Sequence, residues 1–241
     1  MTTNQLSENN GFYWQRLQKP AEIAENRLIE AILDDTFPPE SHLPGERELA
    51  EMLGVTRPTL REALQRLARD GWVEINHGKP TRVQAYLKEG SLGVLNTLAK
   101  FPSHFPDSFI QNLLTVRLAL APTYTTLAVE KSPQAISKLL EIHPKPQDNP
   151  EVFAQFDWQV HHSLTLLSDN PVFVMILNGF KDLYLQLAPQ YFSIPAAKNH
   201  SINFYQDLSD AASQQNPNQA RILTDTVMRE SLIFWQQLEV K

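Results

Sequence analysis

Four of the arginines in this chain lie within thirteen residues, between two glycines at positions 54 and 71, and they are Arg57, Arg61, Arg66 and Arg69. Arginine offers paired, coplanar N–H donors that match phosphate oxygens and the edge of guanine. The alternative interpretation of the cluster is a solvated helix face. The chain as a whole carries 27 Asp+Glu against 21 Lys+Arg. The window 54–83, however, holds six Lys+Arg and three acidic residues, so the positive charge is local.

Three helical patterns and their end signals surround the cluster. The first pattern follows Pro20, and the second ends at Gly54, which supplies the left-handed residue that commonly ends a helix. Thr56 is predicted to cap the third helix, and Gly71 ends it. The side chains predicted to face inward from this third helix are spaced three and four apart, namely Leu60, Ala63, Leu64 and Leu67.

A β-hairpin is predicted after the third helix. Val73 and Ile75 alternate with polar residues, His77 and Gly78 form a tight turn, and the alternation resumes through Val83. A short helix, a turn through glycine, a second helix and a hairpin together predict a winged helix-turn-helix.

The predicted DNA contacts follow from this arrangement. In a helix-turn-helix, the N-terminal end of the second motif helix enters the major groove. The residues at that end are Thr56, Arg57, Thr59 and Arg61. Arg66 and Arg69 lie further along and are interpreted as surface residues. The thin hairpin tip, with His77 and Gly78, is interpreted as a minor-groove probe.

The second half of the sequence predicts only helices. A long apolar pattern covers 107–130, with a kink predicted at Pro122, and four later segments begin or break at Pro, Asn or Ser. We predict a mainly α chain with a small hairpin. Its divisions are an N-terminal tail (1–18), a winged helix-turn-helix domain (19–85), a linker (86–106) and an all-helical bundle domain for ligand binding (107–241).

Composition limits the function classes. The 241 residues include no cysteine, which excludes disulfides and thiolate catalysis, and no apolar run is long enough for a membrane span. The N-terminus lacks the pattern of a signal peptide, so we expect a cytoplasmic protein that does not contact a membrane. No nucleophile elbow and no convincing Ser/His/Asp set is visible, so no catalytic residue and no enzyme is predicted.

The stretch FPPESHLPGERELAEMLGVTRPTLREALQRLARDGWVEINHGKPTRV resembles the DNA-binding domain of the GntR family. The resemblance implies operator binding as a homodimer, with Arg47 as an additional DNA contact beside the residues named above. Pro58 departs from the threonine of the fatty-acid-responsive members, which removes a hydroxyl and an N–H.

The resemblance continues through "IQNLLTVR", "NPVFVMILNGFKDLYLQLAPQYF", "NFYQDL" and "ESLIFW" to the domain that binds long-chain fatty acyl-CoA in those members. It implies this thioester as the effector and a dual role, repressing fatty-acid degradation and activating unsaturated fatty-acid synthesis. Arg117 stands alone in an apolar segment and needs an anionic partner, either the ligand's phosphates or an internal carboxylate. The other candidate ligand-binding residues are Tyr184, Tyr191, Tyr205, Ser231 and Trp235. Val227 and Met228 stand where those members have tyrosine and glycine, which narrows or reshapes the ligand path.

Two residues raise the alternative of a metal-binding site in the second half of the chain. Other GntR regulators bind a divalent ion through Asp-x-x-x-His and two further histidines, and Asp157 and His161 match the first pair. Phe204 and Met228 align with the remaining positions and suit no such ion. We therefore predict no metal and no cofactor, and we interpret Asp157 and His161 as a hydrogen-bonded pair. The alternative function is a GntR regulator that responds to another small metabolite, such as an organic acid.

Overall fold

A computed structural model of the chain describes residues 19–76 and 78–239. They form two compact units, which divide the chain between Glu89 and Gly90. Their regular structure comprises twelve α-helices, one short 3-10 turn and a two-stranded antiparallel hairpin, so the predicted fold class is confirmed. The tail predicted for residues 1–18 and the wing residue His77 lie outside the described residues. No helix in the described part is long and apolar enough to cross a membrane.

The first unit begins with the three predicted helices, α1 (Pro20–Leu33), α2 (Glu46–Leu53) and α3 (Arg57–Asp70). Gly54 ends α2 with a φ of 67° and Gly71 ends α3 with a φ of 96°, a region that favours glycine because it has no Cβ. The predicted inward face of α3 is buried, as Leu60, Ala63, Leu64 and Leu67. The helix-turn-helix is therefore present as predicted.

The wing is shorter than its sequence pattern indicated. Strand β1 (Val73–Glu74) pairs with β2 (Arg82–Val83), and residues 40–43 hydrogen-bond to the other edge of β2. The prediction that β1 continues through Ile75 is wrong, since that side chain is exposed and pairing ends at Glu74. The chain instead turns through Gly78, which has a φ of 73°. A four-residue helix, α4 (Tyr86–Glu89), ends the unit.

The second unit has eight described α-helices and no strand among its described residues. Five of them begin with proline, which fits the first helical position because the first-turn N–H groups have no helical acceptor. Helices α5 to α12 span Leu92–Leu98, Phe109–Lys131, Pro133–Leu140, Pro150–Leu167, Pro171–Asn178, Lys181–Phe192, Pro195–Ser213 and Pro217–Glu239.

Three details differ from the sequence patterns or extend them. The segment 86–106, predicted as a linker, is shared between the units, since α4 belongs to the first while α5 and the 3-10 turn Pro102–His104 belong to the second.

The segment 170–187, interpreted as one helix, is two helices divided near Gly179. A Cβ on Gly179 would lie 2.9 Å from a methyl carbon of Leu92, so any larger residue there would force the Leu92 side chain of α5 to shift. Helix α6 continues through Pro122, where a kink stays a prediction.

Candidate functional site

The N-terminal end of α3 carries an exposed polar surface. The Thr56 Oγ1 accepts a hydrogen bond from the Thr59 N–H at 3.4 Å and lies 2.8 Å from the Thr59 Oγ1, which confirms the predicted cap. The side chains of Arg57 and Arg61 are each 58% exposed. Both contact the carboxylate of Glu46, the first residue of α2. The arrangement presents two guanidinium groups where a helix-turn-helix meets the major groove.

The other predicted DNA contacts lie on the same unit. Arg47 is exposed, and it has no carboxylate partner within the described part of the chain. Gly78 is exposed at the wing, beside the undescribed His77. The role of all these residues at DNA stays a prediction.

The three other arginines of the window 54–83 are paired with carboxylates. Arg66 contacts Glu25 and Glu62, and Arg69 contacts its neighbour Asp70. Arg82 contacts three carboxylates that come from separate parts of the unit, Glu40, Glu74 and Glu89. Because these pairs neutralise charge, the window 54–83 carries less unpaired positive charge than its composition suggested.

The second unit contains a largely apolar cavity, partly open to solvent, that is lined by residues of α6, α8, α9, α10 and α12. Pockets for small ligands have this apolar character. Five of the six predicted ligand-binding residues line it, namely Arg117, Tyr184, Tyr191, Ser231 and Trp235. Tyr205 does not, because its side chain is fully buried in the helical core. The further lining residues are Ile110, Leu113, Leu114, Val116, Leu120, Tyr124, Trp158, His161, Phe173, Ile176, Leu177, Phe180, Leu183, Leu187 and Ala188.

A buried ion pair lies in the wall of the cavity. The Arg117 Nη2 donates to the Asp157 Oδ2 at 2.7 Å, and the Tyr184 hydroxyl donates to the same oxygen. The Tyr205 hydroxyl donates to the Asp157 Oδ1 at 2.8 Å. The guanidinium carbon of Arg117 also lies 5.3 Å from the centre of the Tyr184 ring. Of the two partners that the sequence left open for Arg117, the structure contains the internal carboxylate.

The protonation states of this centre follow from burial and charge. Burial alone would raise the pKa of the Asp157 carboxyl, but Arg117 and the tyrosine donors hold that pKa below its usual value. Burial, followed by the negative charge of Asp157, raises the pKa of the Tyr184 and Tyr205 hydroxyls well above the ordinary range. Both tyrosines therefore keep their protons and remain donors to Asp157.

His161 is a buried neutral imidazole beside this centre. Its Nδ1 lies 2.8 Å from the Tyr124 hydroxyl, and burial lowers its pKa to about 4, with the charge of Arg117 adding to the effect. The His161 Nε2 lies 3.8 Å from the Asp157 Oδ2, which is too far for a hydrogen bond. The predicted hydrogen-bonded Asp–His pair is therefore wrong, because Arg117 and two tyrosines occupy the carboxylate. The described residues contain no group of three or more side chains suited to hold a metal ion.

The two positions that depart from the fatty-acid-responsive pattern are buried beside the cavity. Val227 and Met228 line a smaller recess. Arg117, Tyr191 and Ser231 line both spaces and so form the boundary between them.

Sequence reasoning missed two partners. Glu46 contacts Arg57 and Arg61 from another helix, eleven and fifteen residues away along the chain, and no local pattern signals such a contact. Asp157 was considered as a metal ligand and as the hydrogen-bond partner of His161, but not as the partner of Arg117. A lone aspartate in the apolar segment 151–167 was a usable signal, because a buried carboxylate needs a cation or several donors.

The family comparisons agree with both units. A model described as bacterial regulatory proteins of the gntR family matches residues 20–83, and a model described as the FadR C-terminal domain matches residues 84–241. The chain belongs to the GntR family, in its FadR branch. It is a transcription regulator and not an enzyme, as predicted. Regulators of this family bind operator DNA, typically as dimers.

Relatives resemble the chain over nearly their whole length. The fatty acid metabolism regulator protein of Shewanella pealeana is 41% identical over 220 residues, which is 91% of this chain and 92% of that protein. The protein of the same name from Pectobacterium atrosepticum is 40% identical over 224 residues, 93% of this chain and 94% of that one.

One solved structure supports the fold. The structure of Lar, described as controlling expression of the Listeria monocytogenes agr system, gives a TM-score of 0.61 at 16% identity. The match covers 92% of this chain and 99% of that chain, and at this identity it concerns the fold alone.

Replacing Asp157 with asparagine should destabilise the second unit strongly. The change keeps the size of the side chain but leaves the Arg117 charge buried without its counter-ion, which costs about 3–5 kcal/mol. The control is Asp169→Asn, which breaks an exposed pair of similar length, 2.9 Å to Lys131, and should cost less than about 1 kcal/mol. Urea unfolding of both variants measures the difference, and equal losses would contradict the role given to Asp157.

The second prediction concerns the stability of the folded protein at acidic pH. The folded protein keeps His161 neutral down to about pH 4, whereas the unfolded chain binds a proton near pH 6.5, so stability should fall as pH drops through that interval. The full contribution of this residue is up to about 3 kcal/mol. The variant His161→Gln should show a shallower loss in urea unfolding than the wild type between about pH 7 and about pH 4.5. Parallel curves for His161→Gln and the wild type would count against the prediction.

Proposed function

We propose that this chain is a homodimeric regulator of fatty-acid metabolism that binds operator DNA through the start of α3 and is released by long-chain fatty acyl-CoA. By the resemblance to the fatty-acid-responsive members, it represses fatty-acid degradation and activates unsaturated fatty-acid synthesis. The names of its relatives support the metabolic role.

The apolar cavity carries the ligand proposal. Twelve of its lining residues are aliphatic or phenylalanine. An acyl chain gains about 0.8 kcal/mol for each methylene that it buries, so a chain rather than a compact polar molecule matches this surface. Trp235 and Ser231, in the last helix, provide an indole N–H and a hydroxyl beside the apolar wall.

The alternative of a small organic acid fits the cavity less well. A carboxylate ligand needs a cation or several free donors. Arg117 is the only Lys or Arg among the described lining residues, and it is already paired with Asp157. Thermal stabilisation by oleoyl-CoA, compared with dicarboxylates plus a divalent metal, separates the two ligand classes.

Release requires that ligand and DNA prefer different conformations. Acyl-CoA must bind more tightly to a form whose recognition helices do not fit the operator, and DNA then weakens acyl-CoA binding by the same factor. The segment 86–106, which both units share, is the part of the chain through which we expect this coupling to run.

Removing the guanidinium of Arg57 should weaken operator binding. A gel shift on a duplex with a FadR-type palindrome should weaken at least about tenfold for Arg57→Ala, since one bidentate base contact is worth about 1–3 kcal/mol. Arg69→Ala is the matched control, because Arg69 is an exposed arginine on the same helix that pairs with Asp70. If Arg69→Ala were as damaging as Arg57→Ala, the effect would be one of general charge, and the assignment of the helix start would fail.

Replacing Trp235 with alanine should leave the gel shift of the palindromic duplex intact but weaken its response to acyl-CoA. The variant Trp235→Ala removes a buried wall of the cavity, so half-release of the palindrome should need roughly tenfold more oleoyl-CoA, consistent with a lost contact of about 1.4 kcal/mol. Ile233→Ala changes an exposed residue on the same helix and should respond like the wild type. Unaltered release of the folded Trp235→Ala protein would show that the effector binds elsewhere.

A further inference from the structure

One carboxylate lies between the two arginines that face the major groove. The Glu46 Oε2 accepts from the Arg61 Nε at 2.8 Å and also lies 2.8 Å from the Arg61 Nη2. The same oxygen lies 3.6 Å from the Arg57 Nη2. Glu46 thus places a negative charge on the surface that the proposed function assigns to DNA.

Stability does not account for this arrangement. The Glu46 side chain is 38% exposed and both arginines are 58% exposed, and ion pairs this exposed contribute little to folding. The carboxylate is nevertheless held in its charged form. The hydrogen bond from Arg61 lowers its pKa against a small opposing effect of burial, and its position at the start of α2 favours an anion.

A carboxylate so placed has two effects on arginines that meet DNA. It fixes the guanidinium of Arg61 from one side, which reduces the rotamer freedom that the side chain loses on binding. It also cancels about one of the two positive charges, and attraction to phosphates is what drives sequence-independent binding.

We propose that Glu46 is a specificity-determining residue, which positions Arg57 and Arg61 for base contacts and lowers the affinity of this surface for DNA of any other sequence. The inference rests on the proposed function of the α3 start as the operator-binding surface. Discrimination comes from a repulsive element as well as an attractive one, and Glu46 supplies the repulsion toward phosphates.

The test is the variant Glu46→Gln, which keeps the shape and removes the charge. Binding is measured by fluorescence anisotropy over a salt series, on a duplex with a FadR-type palindrome and on a scrambled duplex of the same composition. We expect affinity for the scrambled duplex to rise by roughly fivefold and its salt dependence to steepen by about one unit in the log–log slope, as for one added phosphate contact. Affinity for the palindrome should rise less or fall, so that the ratio of the two affinities drops about tenfold.

The matched control is Glu48→Gln. Glu48 is an exposed carboxylate of the same helix with no arginine contact among the described residues, so this variant changes the net charge equally. Its affinity ratio should stay within about twofold of the wild type. Melting curves of the two variants should coincide, which excludes a folding defect as the cause.

Each of three outcomes supports or overturns the proposed role of Glu46. A folded Glu46→Gln protein that discriminates as well as Glu48→Gln overturns the role of Glu46 while leaving the proposed function intact. A wild-type protein that binds both duplexes equally overturns the operator function and, with it, this inference. A lowered ratio in Glu46→Gln alone supports the proposal.

Discussion

The buried carboxylate of Asp157 constrains the second unit more than any other group. Its donors come from three different helices, since Arg117 lies on α6, Tyr184 on α10 and Tyr205 on α11, while Asp157 itself lies on α8. A buried charge is tolerated only when it is paired and hydrogen-bonded. The four helices must therefore meet at this point, and three of them, α6, α8 and α10, also line the apolar cavity together with α9 and α12.

An ion pair of the same kind has a different effect at the surface of the first unit. Glu46 also accepts from a guanidinium at 2.8 Å, but water screens the pair, so it contributes little to folding. What the exposed pair changes is the field that an approaching polyanion meets. Ion pairs of similar length thus have different consequences in the two units: the buried pair holds helices together, and the exposed pair has the role in recognition that we propose for it.

Local signals predicted much of this molecule. Glycines at positive φ, a threonine cap and apolar spacing of three and four residues fixed the limits of α2 and α3, because each acts within one turn of helix. The wing was predicted too long, since strand length depends on cross-strand pairing that alternation alone does not encode. The sequence patterns did not predict the break at Gly179, and they left the partner of Arg117 open. Both features involve contacts with residues that are distant in sequence, Leu92 for Gly179 and Asp157 for Arg117. Tyr205 was assigned to the ligand although it supports the ion pair from the core.

The pairing of Arg117 also limits how an acyl-CoA can occupy the cavity. If a ligand phosphate took the guanidinium from Asp157, the carboxylate would be left buried with tyrosine donors only, and the loss would offset much of the new attraction. The arrangement therefore favours an apolar chain inside the cavity, with the charged part of the ligand outside it. Under the proposed function, selection inside then depends on chain length and shape, and Val227 and Met228 bear on both, because they line the recess next to the boundary formed by Arg117, Tyr191 and Ser231.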